Sequence, residues 1–199
     1  EKYRRNLPQE PEQTAARKQV IQSNVPLDAF YKCWHMAGRL DRRYYIADLL
    51  GDILSGGGSS RLYQSLVKEK KLFSSIECFH FGSTDAGLMA IEGKLVKGVQ
   101  IDEAEKAVEA ELDKMKNELV SASELQKVKN KTESMIAFED MSVMSRANSL
   151  AYYDLLGDAS WMNFELEKYA TVTTEDILQE SRNIFRHTNC NTIHYLSNN

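Results

Sequence analysis

Residues 55–71 read SGGGSSRLYQSLVKEKK, and this stretch sets how the chain changes direction. An apolar helical pattern ends at Leu54, and the three glycines at 56–58 then free the backbone from the usual steric limits. A second helical pattern begins directly afterwards, so Ser59 or Ser60 is predicted to cap it. The stretch therefore predicts a helix, a sharp corner and a second helix.

Two catalytic interpretations of the same glycine-serine run fail on spacing. A phosphate-binding loop requires GxxxxGKS, GxxxxGKT or GxGxxG after a strand, whereas no lysine directly follows these glycines and a helical pattern precedes them. A serine-hydrolase elbow requires GxSxG at a strand-to-helix turn, and no glycine follows Ser59 or Ser60 at that spacing. The run is more typical of a tight junction between two helices.

The composition is that of an ordinary folded domain and excludes several classes of partner. The 199 residues are 42% hydrophobic and 27% charged, with a net charge of −4, which suits one globular domain. Basic residues are not interleaved with aromatic ones, so nucleic acid is not an expected partner. No apolar run approaches the roughly 18 residues that a membrane-spanning helix needs, so no membrane span is expected. The sequence does not indicate a cellular compartment.

The periodicity of apolar residues predicts an α+β fold with a mostly antiparallel sheet and several helices packed on one face. Strands are predicted at 17–24, 28–37, 73–82, 88–96 and 191–196. Helices are predicted at 41–54, 61–71, 101–119, 121–136, 141–156, 161–169 and 173–185. The predicted caps of the first, fourth and last of these helices are Asp41, Ser121 or Ser123, and Thr173 or Thr174. The two strands at 73–82 and 88–96 are separated by a short turn and predict a hairpin.

Three further features carry predictions. Residues 1–16 contain two prolines and no period, so they are predicted to be an interdomain linker that precedes a single domain at 17–199. Cysteines are few and widely spaced, and all are predicted to be buried without disulfide or metal-binding roles: Cys33, Cys78 and Cys190. Three methionines at helical spacing are predicted to fill the core rather than to line a binding groove: Met135, Met141 and Met144.

The corner segment resembles a family signature. Residues 57–70, GGSSRLYQSLVKEK, are similar to the segment GG-x-SSRL-(F/Y)-Q-x-L of the insulinase and pitrilysin-like zinc metallopeptidases, which include the mitochondrial processing peptidase. Later segments resemble the family pattern in the same order: SELQKVKN at 123–130, RANSLA at 146–151 and VTTEDI at 172–177. The resemblance covers roughly residues 17–196.

The resemblance implies a domain that holds no metal. Members of the family carry two related domains, and the first holds zinc through His-x-x-Glu-His and a distal Glu. None of the four histidines here has a second histidine three or four residues away: His35, His80, His187 and His194. The chain thus resembles the second, C-terminal domain, with no metal ligand and no catalytic residue of its own. The resemblance implies that zinc is bound outside this chain, in an N-terminal zinc-binding domain of the same protein or in a homologous subunit. That domain or subunit is the implied partner.

The resemblance also implies which residues face a peptide substrate. The second domain of the family supplies an Arg and, seven positions later, a Tyr that polarises the substrate carbonyl, and these positions fall on Val67 and Ser74. A valine offers no hydrogen-bond donor and a serine is too short to replace a phenol. The substrate-binding residues are instead predicted to be Gly56, Gly57, Gly58, Arg61 and Lys68.

Two functions remain open at this point. The first is a non-catalytic C-terminal domain of a zinc metalloprotease that closes a substrate chamber over a metal site in another domain. The alternative is a catalytically inactive structural or assembly subunit of the same family. The linker prediction favours the first function, and the residues at Val67 and Ser74 favour the second.

Overall fold

The computed structural model describes residues 11–198 and contains one five-stranded sheet. The strands are β1 (Arg17–Ser23), β2 (Ala29–Met36), β3 (Phe73–Phe81), β4 (Gly87–Leu95) and β5 (Cys190–Ser197). Their order across the sheet is β1-β5-β2-β4-β3. Only the β1–β5 pair is parallel among these strands, so the predicted, mostly antiparallel sheet is confirmed.

Six α-helices accompany the sheet in the described part of the chain. They are α1 (Arg42–Ser55), α2 (Ile101–Asn117), α3 (Ala122–Glu139), α4 (Val143–Leu156), α5 (Glu165–Ala170) and α6 (Thr174–Ile184). A π-helix spans Tyr63–Glu69, and 3-10 helices span Ala159–Phe164 and His187–Asn189. The α+β prediction is therefore confirmed. None of the described helices combines the length and the apolarity that crossing a membrane demands.

Capping residues set the beginnings of the helices as the sequence predicted. The Asp41 carboxylate accepts a hydrogen bond from the backbone N–H of Arg43, and the Ser121 hydroxyl accepts one from that of Glu124. Thr173 and Asp176 exchange side-chain and backbone hydrogen bonds in a capping box at α6. These bonds satisfy N–H groups that the first turn of a helix leaves without partners.

The side chains of the sheet alternate between a covered face and an open face. On β2, Phe30, Trp34 and Met36 are buried in the core with the helices, whereas Tyr31 on the opposite face is 36% exposed. Alternation of this kind follows from the two-residue period of a strand. The helices therefore lie on one face, as predicted. We call the other face the open sheet face.

The glycine corner joins α1 to the next helical turn, but neither serine caps it as predicted. The Ser60 hydroxyl donates to the Gly57 carbonyl at 2.6 Å, and the Ser59 hydroxyl accepts from Lys127 Nζ at 2.8 Å. The prediction of a serine cap is wrong because α3 lies close enough to engage one hydroxyl and the turn itself engages the other. The second helix continues as the π-helix after Leu62.

Gly57 is the residue of the corner whose φ angle favours glycine. It has φ 129°, whereas Gly58 has ordinary φ and open space where a Cβ would lie. Gly57→Val is expected to lower the free energy of unfolding by about 1–3 kcal/mol because an L-residue is strained at this φ. Gly58→Val is the matched control and should be nearly neutral in urea unfolding. Equal effects of the two variants would contradict the assignment of strain to Gly57.

The predicted methionine core is wrong. Met135, Met141 and Met144 are 52%, 78% and 70% exposed. Met144 is exposed because α4 packs mainly against the 3-10 helix Ala159–Phe164 instead of the sheet, and Tyr153 is the one buried residue of α4. Met135 lies on α3 and Met141 lies between the two helices. A helical period shows that a helix has an apolar face, but it does not show which surface covers that face.

Two other predictions meet the structure in part. Cys78 and Cys190 are buried, as predicted, whereas Cys33 is half-buried. The absence of disulfide and metal-binding roles stays a prediction. Residues 1–10 of the predicted linker lie outside the described residues. Within 11–16, the Gln13 amide donates to the Cys190 carbonyl at 3.1 Å and so attaches this segment to β5. The linker role of 1–16 stays a prediction.

Glu180 on α6 is a buried carboxyl that makes stability depend on pH. It is 4% exposed, and burial raises its pKa to about 7. A raised folded pKa means that its contribution to stability is complete below about pH 4.5 and is lost as the pH rises through about 7. Glu180→Gln should therefore raise the free energy of unfolding by about 1–3 kcal/mol at pH 8 and change it little at pH 4. A constant difference at all pH values in denaturant titrations would contradict this.

Candidate functional site

Arg61, a predicted substrate-binding residue, is held by α3. Its Nε and Nη2 donate to the two carboxylate oxygens of Glu124 at 2.8 and 2.9 Å. This bidentate pair raises the pKa of Arg61 and lowers that of Glu124 through the hydrogen bonds between them. Such a fork fixes the guanidinium in one orientation. Arg61 therefore connects the corner to α3, and a substrate could reach only the donors that Glu124 leaves unused.

The other predicted substrate-binding residues are more accessible. Gly57 and Gly58 are exposed, and Gly56 is partly exposed at the end of α1. Lys68 is exposed on the π-helix, and its Nζ lies 5.5 Å from the ring centroid of Tyr63. The corner therefore presents backbone and one ammonium group to solvent. Their contact with a peptide stays a prediction.

Neither the Val67 nor the Ser74 side chain can polarise a substrate carbonyl group. Val67 packs partly against the core. Ser74 lies at a register shift at the start of β3, and its hydroxyl donates to the Lys94 carbonyl at 3.0 Å. The one donor at these two positions is thus already engaged within the sheet. The structure places no substitute donor on either side chain.

The edge strand β3 is closed to strand addition at its centre. The Ser55 hydroxyl donates to the Cys78 carbonyl and accepts from the Cys78 N–H, both at 2.7 Å. These backbone groups point away from β4 and would otherwise bind an added strand. The opposite edge is β1, whose first four residues are all exposed. An extended peptide could therefore add to the sheet at β1 but not along the middle of β3.

The open sheet face carries aromatic and aliphatic side chains near the β3–β4 turn. Phe79 and Phe81 stack edge to face with ring centroids 5.2 Å apart, and Phe81 is 60% exposed. Ala90 and Leu88 lie opposite them on β4, and both are partly exposed. Apolar side chains in contact with solvent on a sheet face offer a surface for apolar groups of a ligand.

Three potential metal ligands meet where α2 begins, although they are far apart in sequence. The ligand atoms of Asp102, Glu105 and His194 lie within 4.8 Å of one another. The prediction of no metal site considered only ligands close in sequence, and it missed this convergence. The Glu105 carboxylate, however, already pairs with Lys18 at 2.9 Å and Lys32 at 3.1 Å.

The two lysines make this cluster an ion-pair network. Burial alone would raise the pKa of Glu105, but its bonds to Lys18 and Lys32 outweigh burial and lower the pKa to about 2. Lys32 is 4% exposed and also contacts Glu109. Two ammonium groups thus stand where a cation would have to bind, and the donor set does not suit a metal ion. No metal site is established among residues 11–198.

A second buried network centres on Arg39, which the sequence analysis missed. Nη2 donates to the Tyr153 hydroxyl at 2.9 Å and to the Glu165 carboxylate. The guanidinium also lies against the rings of Tyr44 and Tyr45, with its carbon 4.8 and 4.7 Å from their centroids. The partners Tyr153 and Glu165 follow 114 and 126 residues later, so no local motif could have revealed the network.

An apolar surface remains uncovered beside this network. We call it the α3–α4 surface, and each of its members is at least 52% exposed: Met135, Phe138, Met141, Val143, Met144 and Leu155. A group of exposed, large apolar side chains on neighbouring elements is typical of an interaction site. The methionine side chains are flexible and adapt to a partner surface.

Comparisons with known proteins agree with the fold and with the absence of a local catalytic motif. A sequence model of the family described as "Peptidase M16 inactive domain" matches residues 1–132. A search of curated proteins finds no match to this sequence.

Several solved structures share the fold. A protease from Helicobacter pylori superimposes with a TM-score of 0.87 at 20% identity, covering 93% of this chain and 45% of that one. A peptidase M16 inactive domain from Pseudomonas fluorescens gives 0.75 at 14% identity, with 94% and 45% covered. A chain of complex III2 from Candida albicans gives 0.71 at 14% identity, with 88% and 44% covered. This chain therefore spans less than half the length of each of these three chains.

Proposed function

The chain belongs to the family of peptidase M16 inactive domains, and we propose that it closes a peptide-binding chamber over a zinc site held by a companion domain. The membership confirms the family resemblance predicted from the corner segment. One observation carries the proposal of a companion, namely that α4 buries one of its 14 residues and presents its apolar side to solvent. A helix of this kind is stable when a second surface covers it.

The companion domain is proposed to cover the α3–α4 surface. Side chains such as Phe138, Met141 and Val143 are more than 70% exposed, and each would remove apolar area from water on docking. The three relatives described above are about twice as long as this chain, which leaves room in each for a second domain of similar size. The companion is either part of the same polypeptide or a separate subunit.

The division of chemistry follows from the residues that this chain lacks. A zinc peptidase needs a metal-bound water and a general base, and zinc supplies the Lewis acid that activates that water. The cluster at Glu105 is neutralised by lysines, and Val67 and Ser74 offer no free donor. The zinc ligands and the base are therefore assigned to the companion. This chain contributes enclosure and peptide contacts.

The open sheet face is proposed as the chamber wall that meets the peptide. It presents Phe79, Phe81 and Leu88 to apolar side chains, and the β1 edge offers backbone groups to an extended segment. The corner at 56–58 and Lys68 would contribute at the rim. Because this face lies opposite the helices, the companion would have to extend from the α3–α4 surface past the sheet edge to enclose it. Confinement between the two domains would then admit short, unfolded peptides and exclude folded proteins.

A second function is favoured by one specific observation. The fold match to a chain of complex III2 from Candida albicans, together with Val67 and Ser74, suits a subunit that assembles without cleaving peptides. In that case the α3–α4 surface would still bind a companion, but the companion would carry no zinc ligands. Metal content of the assembled protein separates the two functions.

The experiment follows cleavage of a quenched fluorescent peptide. The companion domain is assayed alone, this chain is assayed alone, and both are assayed together in the presence of zinc. We expect activity only in the mixture, or at least a ten-fold gain over the companion alone, because neither half encloses the peptide by itself. Equal activity of the companion with and without this chain would reject the chamber role. A zinc-free, inactive assembly would support the structural subunit.

A further inference from the structure

One of the residues that line a cleft between α3 and α4 carries a buried, unpaired hydrogen-bond donor. Arg39 is 8% exposed, and its Nη1 is buried without a hydrogen-bond partner among the described residues. Nη2 of the same guanidinium is fully engaged with Tyr153 and Glu165. An unpaired buried donor costs free energy, and folded proteins retain few of them without a reason. Nη1 is therefore the donor of this network that lacks a hydrogen-bond acceptor within residues 11–198.

The residues that line the cleft indicate which chemical group would accept a hydrogen bond from Nη1. The cleft has a volume of about 200 Å³, and its lining residues come from α3, α4, α5, the 3-10 helix Ala159–Phe164 and the Arg39 turn. Arg39, Tyr153 and Glu165 are the buried members, while Glu139 and Asp140 contribute carboxylates from the end of α3. Three carboxylates against one guanidinium disfavour an anionic ligand. An uncharged amide fits better, because its carbonyl accepts from Nη1 while its N–H donates to a carboxylate or to the Ser149 hydroxyl.

We infer that this cleft receives an amide group of the companion domain, from its backbone or from an Asn or Gln side chain, and that Arg39 Nη1 donates to its carbonyl oxygen. The inference rests on the proposed function, and it identifies Arg39 as the polar contact that holds the companion domain in place. Ile136, Tyr152 and Met162 line the same cleft, and the α3–α4 surface adjoins it through Phe138 and Met141. A buried polar contact ringed by apolar ones is the usual arrangement of an interface hot spot.

The charge of Arg39 explains why a carbonyl gains from the cleft. A hydrogen bond to an ionised donor is stronger than one between neutral groups, and exclusion of water strengthens it further. The apolar surface supplies affinity that depends little on orientation, since burial of apolar area is not directional. The Arg39 contact would fix the register of the companion against α3 and α4.

The test fills the cleft without replacing Arg39 or either of its hydrogen-bond partners. Ser149→Trp places an indole in the cleft, and Ser123→Trp is the matched control, sixteen residues before Glu139 on α3, or about 24 Å along the helix. Binding to the companion domain is measured by titration calorimetry, and the unfolding midpoint of each variant is measured alone. We expect Ser149→Trp to weaken binding at least ten-fold and Ser123→Trp to leave it unchanged, with both variants folded.

A second measurement uses the unmodified chain. The ¹⁵N–¹H signals of the Arg39 guanidinium should show slower solvent exchange at Nη1 when the companion binds, while Nη2 is protected in both states. Unchanged affinity of Ser149→Trp, or unchanged Nη1 exchange, would overturn the inference and leave a cleft filled by water. If Val143→Glu weakens binding while Ser149→Trp does not, the docking surface stands and only the Arg39 contact fails. If neither variant changes binding, both proposals fail.

Discussion

Arg39→Met is expected to lower the free energy of unfolding by about 3–5 kcal/mol, because it leaves the buried Glu165 carboxylate without its cation. The Glu165 side chain is 11% exposed, and Tyr45 donates to its second oxygen at 3.2 Å. Tyr153 would lose its hydrogen bond at the same time, so α4 and α5 would each lose a contact with the turn after β2. The measurement is urea unfolding at pH 7, followed by circular dichroism.

The control for this prediction is Arg43→Met, four residues later. Arg43 pairs with Asp41 through contacts of 2.6–3.2 Å, but its side chain is 53% exposed. Exposed ion pairs contribute at most about 1 kcal/mol, so the control should unfold near the wild-type midpoint. Adding Glu165→Gln to Arg39→Met should recover part of the loss, since it removes the unpaired charge. Similar losses for Arg39→Met and Arg43→Met would contradict the role assigned to burial.

The sequence was sufficient for features that depend on neighbours in the chain. Asp41, Ser121 and Thr173 cap their helices as predicted, because a cap needs only a side-chain oxygen two or three residues before a free N–H. The hairpin of β3 and β4 follows from two alternating runs and a short turn. Conversely, Ser59 and Ser60 failed as caps because Lys127 and the Gly57 carbonyl engage them, and only the folded chain brings Lys127 close.

The candidate site was harder to predict because its contacts join distant segments. Arg61 looked available for a substrate in the sequence, whereas the fold places Glu124 against it. Arg39 has no motif of its own, since its partners come from α4 and α5. The apolar period of α4 was recognised, but the period does not state whether the core or another protein covers the helix. For this reason Met141 was predicted to lie in the core, whereas it is exposed.

Val143→Glu combined with Met144→Glu is expected to weaken binding of the companion domain by about 100-fold or more, which corresponds to about 3 kcal/mol. Val143 and Met144 are 83% and 70% exposed, so neither carboxylate needs to be buried in the isolated chain. Stability of the chain alone should therefore change by less than about 0.5 kcal/mol. Docking would bury both carboxylates against an apolar surface without partners, which is costly. Titration calorimetry and peptide cleavage by the mixture measure the loss.

Leu119→Glu provides the control, because Leu119 is a large apolar residue that is 52% exposed but lies between α2 and α3, outside the α3–α4 surface. It should leave both binding and cleavage unchanged. If the Val143 and Met144 variant binds as tightly as the wild type, the exposed side of α4 is not the docking surface, and the companion must contact another part of the domain. If it binds weakly but cleavage is unchanged at saturating companion, the surface serves assembly and the chamber wall acts independently of it. Only a joint loss of binding and activity, with Leu119→Glu unaffected, links the exposed helix to the enclosure of a peptide.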